Sequence, residues 1–407
     1  MPKLLAARSN PTRLTPGPPV KRAGHRRGAV VLIVLAAMVV LLGFLALALN
    51  LTWLSAQRLK LQQACEAAAL AGAAELLDPG AGDSDSADAP VAAAQQQAGV
   101  FFNANSDAVL RTAGPDPDVV AGWVDDPTQP GGAFTAWTGS GPVNSLQVRG
   151  VRRRRAGQAV VLWFGRLFGI ADAEPAAAAR ASIDQQVYGF RPDGPALVPL
   201  VPLLVDANST WPPAVCGAQP PAQDAFSVDP RTGEVTAGPD GLAEITLRIT
   251  GASGGGAASG SAGGPGANWL SLAGTATDFA LLNQQITDGL APCDLAAWDG
   301  SFALGSDRAL WTYAAVPPNV AQAQALQATL LAIRGQKRIF PVGTYSTSAS
   351  QAMGRVQGFV AGYVVDCELD EDAMTLVVQT CTVETSTALV AAGWASNPWI
   401  GKVVLDE

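Results

Sequence analysis

The sequence predicts an α+β protein with a single N-terminal transmembrane helix that continues into an Ala-rich helix. An extracytoplasmic mixed α/β domain with antiparallel strands and long Gly/Pro-rich loops is expected to follow. Three observations predict this fold: an uncharged apolar run over residues 28–51, an Ala-rich helical pattern over residues 52–78, and a last third in which helix patterns precede alternating strand patterns. Helices and antiparallel strands in separate runs are typical of the α+β class.

The apolar run has 24 residues without a charge, and Asn50 is its one strongly polar side chain. At about 1.5 Å per residue it is long enough to cross a hydrocarbon layer of about 30 Å. A cleaved signal peptide and a buried core helix are the alternatives, but the run is longer than a signal h-region and apolar on every face. We therefore predict a retained anchor, flanked by Arg26, Arg27 and Gly28 at one end and by Asn50 and Trp53 at the other.

Charge predicts the orientation of this anchor. Residues 1–27 carry seven Lys or Arg and no acid, so the positive-inside bias holds this tail in the cytoplasm. Because the whole chain has a net charge of −8 and residues 1–51 contribute +7, residues 52–407 carry −15. We expect an acidic domain on the extracytoplasmic (periplasmic) side of the cytoplasmic (inner) membrane. Its charge argues against a nucleic-acid partner, which needs a basic surface.

Cysteine and histidine usage limits the chemistry of the outer domain. Outside the cytoplasm, disulfides can form in any of three pairings among four distal cysteines: Cys216, Cys293, Cys367 and Cys381. Cys65 is expected to be a small buried residue of the Ala-rich helix, with a disulfide to a second copy as the alternative. The single histidine, His25, lies on the cytoplasmic side, which leaves the outer domain without a Ser-His pair, a Cys-His pair or a His-based zinc site. We predict no enzyme activity, no cofactor and no metal.

Composition divides the chain into six segments. These are a basic tail (1–27), the span (28–51), an Ala-rich juxtamembrane helix (52–78), an α+β region (79–250), a Gly/Ser-rich loop (251–268) and a C-terminal α+β region (269–407). The Ala and Gly face of the juxtamembrane helix permits close approach of another helix, so this face is expected to pack on a partner, including a second copy, or on the chain's own outer domain.

Two short segments have more than one interpretation. The run Arg152 to Arg155 is interpreted as a solvated strand end, with contact to anionic lipid as the alternative. Residues 159–170, AVVLWFGRLFGI, are too short to span a membrane. We predict a core helix there, and an interfacial helix is the alternative.

Local patterns also predict individual helices and strands. Asp278 and Asn319 are the expected N-caps of two helices, and Gly335 is the expected stop of the second. Strands are expected in "SLQVRGVRRRR" (145–155), which ends in the arginine run, over residues 242–250, and in "RIFPVGTYS", where Pro341 indicates an edge or a bulge. The segments "VQGFVAGYVVDC" and "AMTLVVQTCTV" predict an antiparallel hairpin.

The N-terminal segment "RRGAVVLIVLAAMVVLLGFLALALNLTWLSAQRLKLQQACEAAALAGAAEL" resembles that of TadE/TadG-like proteins of the tight-adherence (Flp) pilus assembly system. In that family a Gly-led apolar span runs into an Arg/Leu/Gln-rich helix and then a D-A-A-A-L-A pattern, which Glu66 to Ala71 match here with Glu in place of Asp. The span often ends in Asp in the family, where this chain has Asn50. Weaker resemblance extends to "VRGVRRRRAGQAVVLWFGRLFGIADAEPAAAARASI", "GANWLSLAGTATDFALLNQQITDGL" and "GQKRIFPVGTYST".

The resemblance implies an uncleaved TadG-type protein. Pilin-like TadE proteins are processed after a Gly and carry Glu five residues later, whereas the fifth residue after Gly28 is Ile33. The D-x-S-x-S metal motif of some TadG relatives is also missing, because the run from Asp206 to Thr210 is out of register. The expected function is a membrane-anchored, non-catalytic accessory or scaffold protein in assembly of a Flp-type pilus or related secretion machinery. A surface adhesin or matrix-binding protein is the first alternative, and an enzyme using paired carboxylates is the second.

Overall fold

The computed structural model describes residues 26–77, 88–106, 117–129, 131–207, 224–242, 244–250, 266–272, 278–305, 310–313, 319–345, 352–370 and 373–406. A long apolar N-terminal helix precedes a mixed α/β region with several mostly antiparallel sheets, as the sequence predicts. The chain divides into two compact units, Met1–Ser55 with Val161–Ala173 and Ala56–Val160 with Glu174–Glu407.

The described α-helices are α1 (Arg26–Ala74), α2 (Asp88–Asn105), α3 (Phe279–Asp288) and α4 (Val320–Ala332). The two predicted N-caps are confirmed. The Asp278 carboxylate accepts from the backbone N–H groups of Ala280 and Leu281, and the Asn319 side chain accepts from the N–H of Ala321. Each cap satisfies backbone donors that the first helical turn leaves without a partner.

The described strands range from two residues to the 18 residues of β16. They are β1 (Asp118–Val124), β2 (Phe134–Ala136), β3 (Ser145–Val151), β4 (Val160–Val161), β5 (Asp172–Ala173), β6 (Ala176–Asp184), β7 (Val187–Phe190), β8 (Leu203–Asp206), β9 (Phe226–Val228), β10 (Val235–Ala237), β11 (Glu244–Thr250), β12 (Ala267–Ser271), β13 (Phe302–Ala303), β14 (Leu310–Tyr313), β15 (Lys337–Tyr345), β16 (Ala352–Leu369), β17 (Ala373–Thr380), β18 (Val383–Glu384), β19 (Ala388–Val390) and β20 (Ile400–Asp406). The strand predicted within residues 145–155 corresponds to β3, which ends before the arginine run, and the strand predicted at 242–250 corresponds to β11.

The largest sheet has seven strands in the order β11-β17-β16-β14-β12-β8-β15. Strand β15 also pairs with β16, so the ladder closes on itself, and the predicted β16–β17 hairpin is antiparallel. The β15–β16 register shifts between Val342 and Gly343, one residue after Pro341, as expected for a proline next to a bulge. Trp269 and Phe340 are fully buried in the core beneath this sheet.

A six-stranded sheet, β18-β20-β6-β3-β1-β2, packs against the second half of α1 and against α2. The buried face of α1 consists of small residues and one leucine: Leu61, Ala64, Cys65, Ala68, Ala69 and Ala73. Opposite them lie Ala94 and Ala98 of α2 and Leu146 of β3. The Ala and Gly face therefore packs on the chain's own α/β region, and self-association through the juxtamembrane helix would have to use another face.

Gly72 allows the close approach of α1 to this core. A Cβ at Gly72 would lie 2.8 Å from the carbonyl oxygen of Ala94, 3.0 Å from the Cβ of Ala98, and in overlap with a methyl group of Leu146. A backbone carbonyl cannot move aside as a flexible side chain does, so overpacking is expected here.

We expect Gly72→Ala to lower the free energy of unfolding by about 1–3 kcal/mol, because the added methyl group forces α1 away from α2. Gly99→Ala in α2 is the control, since a Cβ there meets no described heavy atom within 4 Å, and it should raise stability by up to about 1 kcal/mol through helix propensity. Thermal unfolding in detergent measures both. Equal stability of the two variants would contradict the packing described for Gly72.

Candidate functional site

The first half of α1 exposes apolar side chains on every side. Within the described residues it is the one helix long and apolar enough to cross a membrane, with a mean hydropathy of 3.2 and 6% of its most apolar window buried. Val31, Leu41 and Phe44 are each about two-thirds exposed. Helix α1 begins at Arg26, so the predicted flanks Arg26, Arg27 and Gly28 form its first turn.

The other two predicted flanks, Asn50 and Trp53, contact a distant segment of the chain. The Asn50 Oδ1 atom accepts a hydrogen bond of 3.2 Å from the backbone N–H of Phe164, and Asn50 is buried. The Trp53 ring stacks on Trp163, with ring centroids 5.5 Å apart and planes inclined by 28°. Two anchor residues are thus joined to residues more than 100 positions further along the chain.

This segment, residues 161–170, is here called the apolar loop. A short 3-10 helix, Gly165–Phe168, forms its tip and ends at Gly169, which has a left-handed φ of 75°. Backbone hydrogen bonds close it, from the N–H of Leu162 to the oxygen of Ala171 and from the N–H of Ile170 to the oxygen of Gly165, each 3.0 Å long. Gly165 is required there, because a Cβ would overlap the carbonyl oxygen of Ile170.

The predicted core helix at residues 159–170 is therefore wrong. Most large apolar side chains of the apolar loop are exposed, and the backbone forms a turn rather than an α-helix. Gly165 and Gly169, which break a regular helix, were the available signal. The contact with Asn50 had no local signal, because 114 positions separate the two partners.

The arginine run lies at a strand end, as predicted, directly after β3. Arg153, Arg154 and Arg155 are exposed, whereas Arg152 is buried, so the solvated interpretation holds for three of the four. Arg153 and Arg155 line a cavity of about 610 Å³ together with acidic Asp118 and Glu174.

The cysteines in the described residues are free thiols. Cys65 is buried and donates to the carbonyl oxygen of Ala177 at 3.6 Å, as expected for a small residue of the helix core. Cys293 is exposed, and burial raises the pKa of the Cys367 and Cys381 thiols to about 12, which keeps them protonated and weakly nucleophilic. Cys216 lies outside the described residues, so the disulfide pairing of the distal cysteines stays a prediction.

Acidic residues are distributed through the fold. Within the described ranges, no group of three or more His, Cys, Asp or Glu is placed to hold a metal ion. Burial raises the pKa of Asp184, whose Oδ1 accepts from the N–H of Gln186 at 2.8 Å. The Glu244 carboxylate accepts from the N–H groups of Ala225 and Phe226 at 2.7 Å each. Both acids cap nearby backbone groups.

Residues 28–75 match the family model Tad, described as "Putative Flp pilus-assembly TadE/G-like". The match covers nearly all of α1 and confirms the resemblance read from the anchor segment. No curated protein matches the chain, and no solved structure matches it. The Tad domain at residues 28–75 suggests a role in Flp pilus assembly.

The hydrogen bond to Asn50 should hold the apolar loop in place. Replacing Asn50 with Leu leaves the N–H of Phe164 without this acceptor, and loss of one such bond costs about 1 kcal/mol. We expect faster amide hydrogen exchange in peptides covering the apolar loop of Asn50→Leu in nanodiscs.

Asn50→Asp is the matched control, because its carboxylate retains an acceptor at the same position. Its exchange should stay close to that of the native protein. Exchange that is unchanged in Asn50→Leu, or equally fast in both variants, would show that this hydrogen bond does not hold the apolar loop.

Proposed function

We propose that this protein is a single-pass membrane protein that serves as a non-catalytic accessory or scaffold protein in assembly of a Flp-type (tight adherence) pilus or related secretion machinery. The main support for the proposal is that the Tad match at residues 28–75 covers almost the same residues as helix α1, Arg26–Ala74. The first half of this helix has the exposure and hydropathy of a membrane span, and its second half is part of a folded core.

The proposed orientation rests on charge. Seven basic residues and no acid precede residue 28, which favours a cytoplasmic N-terminus. The outer domain then lies on the extracytoplasmic or periplasmic side of the inner membrane. Its net negative charge suits protein partners better than nucleic acid.

The scaffold role follows from how α1 is used. Its small-residue face is buried in the chain's own core, so partners would meet the outer domain or the opposite side of the helix. Leu59 and Leu70 are exposed on α1 within that second half and offer apolar contacts. Pilus-assembly or secretion proteins, or a second copy, are the proposed partners of these surfaces.

Deletion of the gene should abolish surface pili and pilus-dependent adhesion, and the full chain should restore both. A chain with residues 28–51 replaced by an unrelated apolar span of equal length tests whether the Tad segment acts only as an anchor. Electron microscopy of surface filaments is the measurement. Normal pili, adhesion and secretion in the deletion strain would contradict the proposal.

Labelling of the exposed Cys293 in the same strains distinguishes a scaffold role from a surface-adhesin role. A membrane-impermeant maleimide should leave Cys293 unlabelled on intact cells and label it once the outer layer is opened. Labelling on intact cells would favour the adhesin.

A further inference from the structure

The apolar loop concentrates exposed hydrophobic surface in ten residues. Six of its side chains are large, apolar and solvent-exposed: Val161, Trp163, Phe164, Leu167, Phe168 and Ile170. Leu167 is 75% exposed and Trp163 is 66% exposed. A patch of this kind, outside the span itself, marks a surface that another phase or molecule covers.

The apolar loop is attached to the end of the span. Trp163 stacks on Trp53, and the N–H of Phe164 donates to Asn50, one residue before the end of the apolar run. An indole at a span end prefers the headgroup layer, where its ring is in an apolar environment and its N–H in a wet one. The apolar loop is therefore held at the depth where hydrocarbon meets headgroups.

Its backbone is suited to that environment. The N–H groups of Leu167 and Ile170 donate to oxygens within the apolar loop at 3.1 and 3.0 Å, and the N–H of Leu162 donates to the adjoining Ala171 at 3.0 Å. Internal hydrogen bonding is what irregular backbone needs near lipid, because hydrocarbon offers no partner. Exposed Arg166 lies at the tip, where a long side chain can reach lipid phosphates while its methylene groups lie against apolar surface.

We propose that the apolar loop inserts into the bilayer interface beside the extracytoplasmic end of the span, as a second membrane contact of this protein. Lipid is the occupant that the structure favours, because the exposed patch is continuous with the span that lipid must already cover. The inference requires that the span lies in a bilayer, and it does not depend on a role in pilus assembly.

The test uses the full chain in lipid nanodiscs with one environment-sensitive fluorophore at a time. Cys216 and Cys293 are replaced by Ser, and the three buried cysteines remain. Labels are placed at Leu167→Cys in the apolar loop and at two controls. Val39→Cys, 65% exposed, reports the middle of the span, and Val320→Cys, 68% exposed at the start of α4, reports water.

We expect aqueous iodide to quench the Leu167→Cys label at least about threefold less than the Val320→Cys label, because interfacial insertion shields it from ions. Lipids with a nitroxide near the headgroup should quench Leu167→Cys, and lipids with a deep nitroxide should quench Val39→Cys. Phe168→Cys repeats the measurement at a second exposed position of the apolar loop.

Three results would overturn the inference. Iodide quenching at Leu167→Cys equal to that at Val320→Cys would place the apolar loop in water, while lipid quenching at Val39→Cys would still support the anchor. Shielding of Leu167→Cys from both iodide and lipid nitroxides would show that protein covers it. Absence of lipid quenching at Val39→Cys would remove the membrane premise of the inference without testing the pilus role.

Discussion

Residues 28–51 require an apolar environment, and the rest of the molecule depends on this constraint. Twenty-four residues without a charge form the first half of α1, and almost no part of that surface is covered by protein. Apolar surface on this scale is unfavourable in water, whereas a bilayer of about 30 Å covers a helix of this length without any protein partner. The basic residues before this run and Trp53 just after it are both consistent with this requirement.

The second half of the same helix meets a different requirement. From Leu61 to Ala73 its buried face consists of small side chains apart from Leu61 itself, which lets α2 and the six-stranded sheet approach the helix backbone closely. The Tad match, residues 28–75, thus covers both the exposed apolar part of the helix and the part that belongs to a folded core. The family pattern of an apolar span followed by alanines has a physical explanation here. The first half of α1 is apolar on every exposed side, and the small residues of the second half permit close packing in a folded core.

Local signals in the sequence predicted much of the fold. Asp278 and Asn319 cap their helices as their positions suggested, and β3, β11 and the β16–β17 hairpin follow from alternation. The surroundings of each element could not be predicted this way. The alternatives for the Ala-rich face and for residues 159–170 differed only in what would cover them. The Ala-rich face is buried against its own domain, whereas most of the large apolar side chains of the apolar loop are exposed. Long-range contacts, such as the hydrogen bond between Asn50 and Phe164, determine these surroundings.

We predict that residues 28–51 remain in the mature protein as a membrane span. The most direct measurement is the intact mass of the polypeptide extracted from carbonate-washed membranes, with sequencing of its N-terminus. We expect the protein to stay in the membrane fraction with the whole of residues 28–51 present. A polypeptide that carbonate releases, or one that begins beyond residue 48, would contradict it.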